Sequence, residues 1–297
     1  MLLAPIVEIF CDIDDFYKDF SKGVSGQILP NPERKRRRHS QMSVSEIMCV
    51  LILFHLSHYR TFKDFYQECV LQELKTYFNL VSYNRFIEIQ STVFFALTAY
   101  LLSKKGKETN LYYVDSTTLK VCHNRRIARH KVFDGIARRG KSSMGWFFGF
   151  KLHLAINHQG EIMSFCVTKG NVDDRKVVEK LVKNLQGLLA GDKGYIDKKL
   201  EEKLSQKKLK LITKVRKNMK KKIHSAFEKF ILSQRSIVET VIGQLKSICQ
   251  IEHSRHRSPT NFLVNLVSGL AAYGFKPRKP SIKMSKLNTR LGMLIPN

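Results

Sequence analysis

Acidic side chains are scarce in this chain beside its basic ones. Its 297 residues carry 25 Asp and Glu against 52 Lys and Arg, a formal net charge of +27. Self-repulsion on that scale points to a polyanionic partner. It does not separate DNA from RNA, or from a ribosomal or membrane surface, and a lysine-rich surface with no polyanion is the alternative. Cysteine is sparse and unpatterned. The six cysteines, at positions 11, 49, 69, 122, 166 and 249, form no Cys-x-x-Cys pair and no Cys/His ligand spacing. That excludes a zinc module and a disulfide framework, and leaves reduced, mostly buried thiols. Long apolar runs are missing too. The most apolar one, Ile47 to Leu56, is about half the length needed to span a bilayer. The start, Met1-Leu2-Leu3-Ala4-Pro5, lacks a basic segment followed by a long apolar core. We therefore expect no signal peptide, no membrane partner and a cytoplasmic location. What remains is ordinary: 43% apolar and 26% charged residues, a globular composition with enough chain for one large domain or two smaller ones.

Two textures divide the chain. Residues 1–105 read as an all-helical amino-terminal region. Phe10, Phe16, Tyr17 and Phe20 interleave with Asp12, Asp14 and Asp15 in an amphipathic first helix, the three acids forming its solvated face. Ser43-Val44-Ser45-Glu46 has the form of a capping box and opens an apolar helix ending near His58. Thr61 starts a second helix towards Phe78, and a third runs from Tyr83 to Leu102. Between the first helix and these lies a proline-marked loop, residues 30–39, ending in a basic cluster with Arg36, Arg37 and Arg38. It reads as a phosphate-binding loop or as a solvated linker.

From residue 108 the period becomes extended. Leu111 to Val121, Phe150 to Ile156 and Ile162 to Thr168 read as strands, the last two joined by hairpin chemistry at Asn157-His158-Gln159-Gly160. Asp173 to Leu188 is helical, Leu188 to Asp192 a short buried strand, Ile196 to Gln206 a helix and Leu209 to Val215 a strand; Ser233 to Ile251 is the closing helix. That order predicts an α/β fold, an RNase H-like mixed sheet flanked by helices, over residues 106–275. Residues 276–297 form a basic tail with Pro277 and Pro280, read as an extended arm. There is no internal repeat.

Divalent-cation chemistry at a phosphodiester needs hard oxygen ligands converging on one spot. Asp115 lies inside the otherwise apolar and hydroxylic run Tyr112-Tyr113-Val114-Asp115-Ser116-Thr117, where an ionised carboxylate is costly to desolvate unless a cation compensates. Asp192 ends a strand just before Lys193-Gly194-Tyr195, where a glycine lets the chain turn sharply. Taken alone, such an Asp is more often a turn or cap residue. Arg235, Glu239, Ile242 and Lys246 are spaced four, three and four apart, so on a helix they fall within about 60° of one another. Ile237, Val241, Leu245 and Ile248 then occupy the face that packs on the sheet. A solvated face with intrahelical ion pairs has the same pattern. Asp173 and Asp174 either cap a helix or position the active-site edge, and Asp134 and Glu161 are loop and hairpin residues.

These residues carry a resemblance. Arg235, Glu239 and Lys246, with three and six residues between them, resemble the signature around the catalytic glutamate of bacterial insertion-sequence DDE transposases. Val114-Asp115-Ser116-Thr117 is similar to the motif around their first aspartate, and Gly191-Asp192-Lys193-Gly194-Tyr195 to that around the second. The segments 145–153, 170–174 and 81–86 extend the likeness, so that almost the whole chain resembles insertion-sequence family 982. Leu232 departs from it, standing where related families often carry a tyrosine. The resemblance implies that Asp115, Asp192 and Glu239 bind two Mg²⁺ ions, with Mn²⁺ a plausible substitute. One ion would activate the water that attacks at the element's end and the other would stabilise the departing 3′ oxygen, after which the freed 3′-OH attacks target DNA. It further implies double-stranded DNA as partner, both element ends and target, and a homodimer that holds two ends together. Arg235 and Lys246 would hold the DNA backbone, with Lys193, Arg36, Arg37, Arg38, Lys214, Arg216 and Lys217 as further contacts.

Several features stay open between two meanings. Lys203 to Lys222 holds ten basic residues and no acidic one, a DNA track or a solvated charge run. Trp146-Phe147-Phe148-Gly149-Phe150 is strand core or a stacking surface for an unpaired base. His123, Arg125, Arg126, Arg129 and His130 fill the loop after the first strand, where phosphate contact is plausible. Two other functions also fit the residues: an RNase H-like metal nuclease of resolvase or repair type, and a decayed copy that binds DNA without cutting it.

Overall fold

The structure is a computed structural model that describes residues 4–25, 40–214, 219, 223–252 and 256–282. It divides into two compact units, Met1–Lys104 with Leu245–Lys276, and Lys105–Gln244 with Pro277–Asn297.

The first unit is helical. Helix α1 spans Ala4–Ser25, α2 Val44–Leu56 and α3 Phe62–Asp64, the last continuing into wider π-helical turns over Phe65–Glu73. The expected capping box opens α2: Ser43 Oγ accepts from the Glu46 N–H at 3.1 Å, and the Glu46 carboxylate accepts from the Ser43 N–H at 2.6 Å. The other Glu46 oxygen accepts from the Asn79 backbone at 2.7 Å and from its side chain at 3.2 Å, so a local cap also anchors a distant loop. Every residue from Ser45 to His55 is buried, which makes α2 the centre of the unit. The expected third helix is interrupted. It forms α4, Tyr83–Ile89, and α5, Phe94–Ser103, with a 3₁₀ turn between them. A C-terminal helix, Pro259–Gly274, packs on α2 and α5. Its apolar faces thus close the helical unit, although its sequence position follows the sheet. Asp12 is solvent-accessible but also partnered. It accepts from the Tyr100 hydroxyl at 2.6 Å and pairs with Lys104, tying α1 to α5.

The second unit is built on a sheet. Its strands are β1 Leu111–Cys122, β2 Arg138–Ser142, β3 Gly145–Asn157, β4 Ile162–Lys169, β5 Gly187–Gly191 and β6 Leu209–Thr213. Helix α6 spans Arg175–Leu181, α7 Lys198–Gln206, α8 Ala226–Ser233 and α9 Ser236–Ser247. Neighbouring strands run β4–β3–β1–β5–β6, antiparallel from β4 to β1 and parallel from β1 to β6. That is the RNase H-like order expected from the alternation of strands and helices. Tyr112, Val114 and Leu189 form one core with Val178, Leu181, Leu200 and Leu204, so α6 and α7 cover that face. Tyr113 points to the other face, where its hydroxyl lies 3.5 Å from the Ile231 carbonyl of α8.

Two elements differ from expectation. Strand β2 is rich in cations and has no apolar residue, so nothing in its composition marks it; it pairs with residues 145–149 of β3, on the edge that β4 takes along residues 150–156. The closing helix, expected over Ser233 to Ile251, is α9, Ser236–Ser247; α8, Ala226–Ser233, precedes it unexpected, and the two are separated at Gln234 and Arg235.

Candidate active site

Strand register brings the first two acids together. The parallel ladder pairs Tyr113 with Ala190, and two residues further on Asp115 stands level with Asp192, just after β5 ends at Gly191. Adjacent strands are about 4.8 Å apart, so the two carboxylates are neighbours at the sheet's edge. Alternation puts Asp115 on the Tyr113 side, the side of α8. Glu239 sits in the first turn of α9. One guanidinium joins the three. Arg235 Nη1 is 3.9 Å from Asp115 Oδ2, while its Nη2 is 3.7 Å from Asp192 Oδ1 and donates to Glu239 Oε1 at 2.7 Å.

The electrostatics of this cluster are unusual for the chain. Burial pushes the Asp115 carboxyl up to about 6; the Ser116 N–H, donating at 2.8 Å, and Arg235 oppose the rise, while Asp192 and Glu239 add to it. Three carboxylates face one guanidinium, a local excess of negative charge in a protein of net charge +27. Such a donor set of hard oxygens suits divalent cations. Among the described residues no three acidic, His or Cys side chains form a ready ligand group; at this cluster Arg235 is paired with all three acids. Arg235 is therefore placed differently from the sequence expectation: it faces the acids rather than standing free for DNA.

A second polar cluster backs the site across the sheet. Ser116 donates from Oγ to Asp174 at 2.9 Å, and Lys151 donates to Asp174 at 2.8 Å and to the Val172 carbonyl at 2.9 Å. His153, fully buried, lies 2.8 Å from Thr168 Oγ1, and burial lowers its pKa. Asp174 makes no side-chain cap on α6. Its neighbour Asp173 accepts from Arg175, which holds the Asp173 carboxyl down at about 2. Lys151 and His153 carried a signal that composition hides: they face Thr118 and Ser116 across the β1–β3 ladder, polar against polar inside a buried strand.

The remaining sequence candidates disperse. Lys246 pairs with Glu252 at 2.7 Å. Lys193 and Lys214 are exposed, after β5 and after β6. Arg36, Arg37, Arg38, Arg216 and Lys217 lie outside the described residues. Within the basic run, Lys203 and Lys207 pair with Glu179 and Lys210 pairs with Glu228, so part of that charge is neutralised internally. Ile248, expected to pack, lies beyond the end of α9 and is exposed; Val238 is buried instead. Gly194 keeps an ordinary backbone conformation, and the constrained glycine is Gly191, against which the Tyr195 ring closes.

Residues 105–259, just over half of the chain, match the family described as Transposase DDE domain. The chain belongs to that family. No curated protein and no solved structure matches it. The matched DDE domain contains the whole sheet and all three converging acids. A transposase domain implies DNA as partner, and DDE transposases generally use divalent metals, for which Asp115, Asp192 and Glu239 are a chemically suitable set.

Proposed function

We propose that this DDE-domain protein is the transposase of an insertion sequence related to family 982, cutting DNA at the element's ends and joining the freed 3′-OH to target DNA. The observation that carries this is the convergence of Asp115, Asp192 and Glu239 on Arg235 from a strand interior, a strand end and a helix. Mg²⁺, or Mn²⁺ in its place, held by these carboxylates would supply a lowered water pKa and a Lewis acid at the scissile phosphate. Asp115 provides a rigid ligand position, since strand pairing fixes its backbone, and Asp192 follows directly on Gly191, the last paired residue of β5. Glu239 is exposed and can adjust, Arg235 being the hydrogen-bond donor to its carboxylate among the described residues. Arg235 neutralises the acids while they lack other cations. When these enter, its planar fork is free to turn to a DNA phosphate and grip it two-pronged. Water for cutting and a 3′-OH for joining attack from the same position, so one site serves both steps. The protein acts in the cytoplasm, as a homodimer that holds two ends.

The test is an incubation of purified protein with labelled element ends, a target plasmid and Mg²⁺. Joined product supports the proposal. Cleavage without joining identifies a nuclease of resolvase or repair type, and a gel shift with neither identifies a binding-only copy. Asp192→Asn is expected to lower cleavage by at least about a thousandfold and to leave the gel shift in place. Unchanged cleavage in that variant would sink the assignment of the site.

A further inference from the structure

Past the acidic edge, part of the sheet continues alone. Strand β5 pairs with β1 only along Leu111–Tyr113, whereas β1 runs on to Cys122 alongside β3, and β2 borders β3 as far as Gly145. Strand β4 borders β3 as far as Phe150 and β2 takes that edge from Gly149 on, so β1, β3 and β2 form a ribbon that extends past the level of Asp115 and Asp192. Its surface is cationic. Arg138, Arg139 and Lys141 are exposed on β2, and Arg125, Arg126 and Arg129 are exposed in the turn after β1. From residue 120 to 151 the sequence holds one acid, Asp134.

At the tip, Trp146 is 53% exposed while Phe147, Phe148 and Phe150 are buried, which resolves the aromatic run into three core residues and one surface residue. Trp146 pairs across the ladder with Lys141. Its ring carries the Arg139 guanidinium at 4.9 Å and the Lys141 ammonium at 5.8 Å. An indole in this position does not form core; it fixes where two cations point. The ribbon's root is rigid. A Cβ on Gly149, whose φ is +156°, would fall on the Leu119 carbonyl, and one on Gly140 would fall on that of Gly170.

We propose that this ribbon clamps the backbone of duplex DNA, with Arg139 and Lys141 contacting phosphates and Trp146 as the positioning residue that orders them. The inference rests on the transposase reading for what lies at the acidic edge. Leu154 is level with Asp115, and Trp146 is eight residues away along β3. That is about 26 Å at ~3.3 Å per residue, or about eight base pairs at ~3.4 Å each. The clamp therefore grips DNA about eight base pairs from the cut.

The experiment measures binding of the full chain to a short fluorescein-labelled duplex of arbitrary sequence across a NaCl series, with circular dichroism to show that each variant is folded. The double variant Arg139→Ala/Lys141→Ala is expected to flatten the slope of log Kd against log salt by about two, near 0.9 for each phosphate no longer neutralised. Trp146→Ala is expected to weaken binding about two- to fivefold, and Trp146→Phe to restore most of it. An unchanged slope in the folded double variant overturns the proposal. So does a Trp146→Ala effect confined to a single-stranded probe, which would make the indole a base platform. Failure of the function proposal is distinguishable: there the wild type neither cuts nor joins element ends, while the salt slope still responds to the ribbon variants.

Discussion

At Asp115 the chain keeps a carboxylate where a strand interior favours an apolar or hydroxylic side chain. Burial and two neighbouring acids disfavour its charge, and Arg235 offsets only part of that. Asp115→Asn keeps the shape and can still accept the Ser116 N–H. It is expected to raise stability by about 1–3 kcal/mol while abolishing cleavage, as urea unfolding in metal-free buffer beside a cleavage assay will show. A loss of stability would mean that Arg235 already compensates the charge in full. His55 gives the opposite case, a buried titratable group with no part in the site. Its Nδ1 is hydrogen-bonded to the Cys249 carbonyl, and burial pushes its pKa down to about 4. An unfolded histidine titrates near 6.5, so the folded state takes up its proton later than the unfolded one. The contribution of His55 is complete above about pH 6.5 and is lost as pH falls towards 4, about 3 kcal/mol in all. Half-buried His256, also pushed down to about 4, adds to the same window. His55→Gln is expected to flatten the fall of the unfolding midpoint between those pH values, and a profile as steep as the wild type's would exclude His55 as its source. Single acids such as these were individually ambiguous in the sequence. What separated Asp115 and Asp192 from Asp12 or Asp134 was their placement at strand positions, and the shared guanidinium could not be read from spacing alone.

Among elements, α2 shows how local chemistry becomes long-range structure. Ser43→Ala removes one cap bond and is expected to cost about 1 kcal/mol. Glu46→Ala removes the reciprocal cap together with both bonds to Asn79, and about 3 kcal/mol is expected. Equal losses in a denaturant series would mean that the Asn79 loop gains nothing from Glu46. The cap was legible because all its parts lie within four residues. The sheet order was legible for a related reason, since β1, β3, β4, β5 and β6 are rich in β-branched, aromatic or aliphatic residues and are separated by turn or helical segments. Strand β2 was not, because an edge strand of Arg, Gly, Lys and Ser owes its existence to the partner it pairs with and not to its own propensity. Helix α8, Ala226–Ser233, was not read from the sequence, and a break at Gln234 and Arg235 separates it from α9. Arg235 sits in that break, ahead of the first helical residue, Ser236. The stripe of Arg235, Glu239 and Lys246 therefore splits, with its first member turned to the acids and its last paired to Glu252.

For the whole molecule, the decisive feature is that the helical unit is made from two stretches, Met1–Lys104 and Leu245–Lys276, with the sheet unit between them in sequence. Sequence reading puts the C-terminal helix with the sheet because they are contiguous; its apolar faces instead meet α2 and α5, pairings that only the folded chain reveals. A chain ending at Gln244 is expected to keep the strands resistant to protease while residues 1–104 are digested, and equal resistance of residues 1–104 in both chains would show that they close without that helix. Synthesis adds a clock to this arrangement. A ribosome adding about 5–20 residues per second needs roughly 10–35 s to travel from Lys104 to Lys276. Throughout that interval the face of α2 that the C-terminal helix covers stays open, while the strands that follow can already pair. The nascent protein thus has its sheet and all three acids before its helical half can close. That delay is written into the order of the chain, and any chaperone that attends this protein on the ribosome has its task set there.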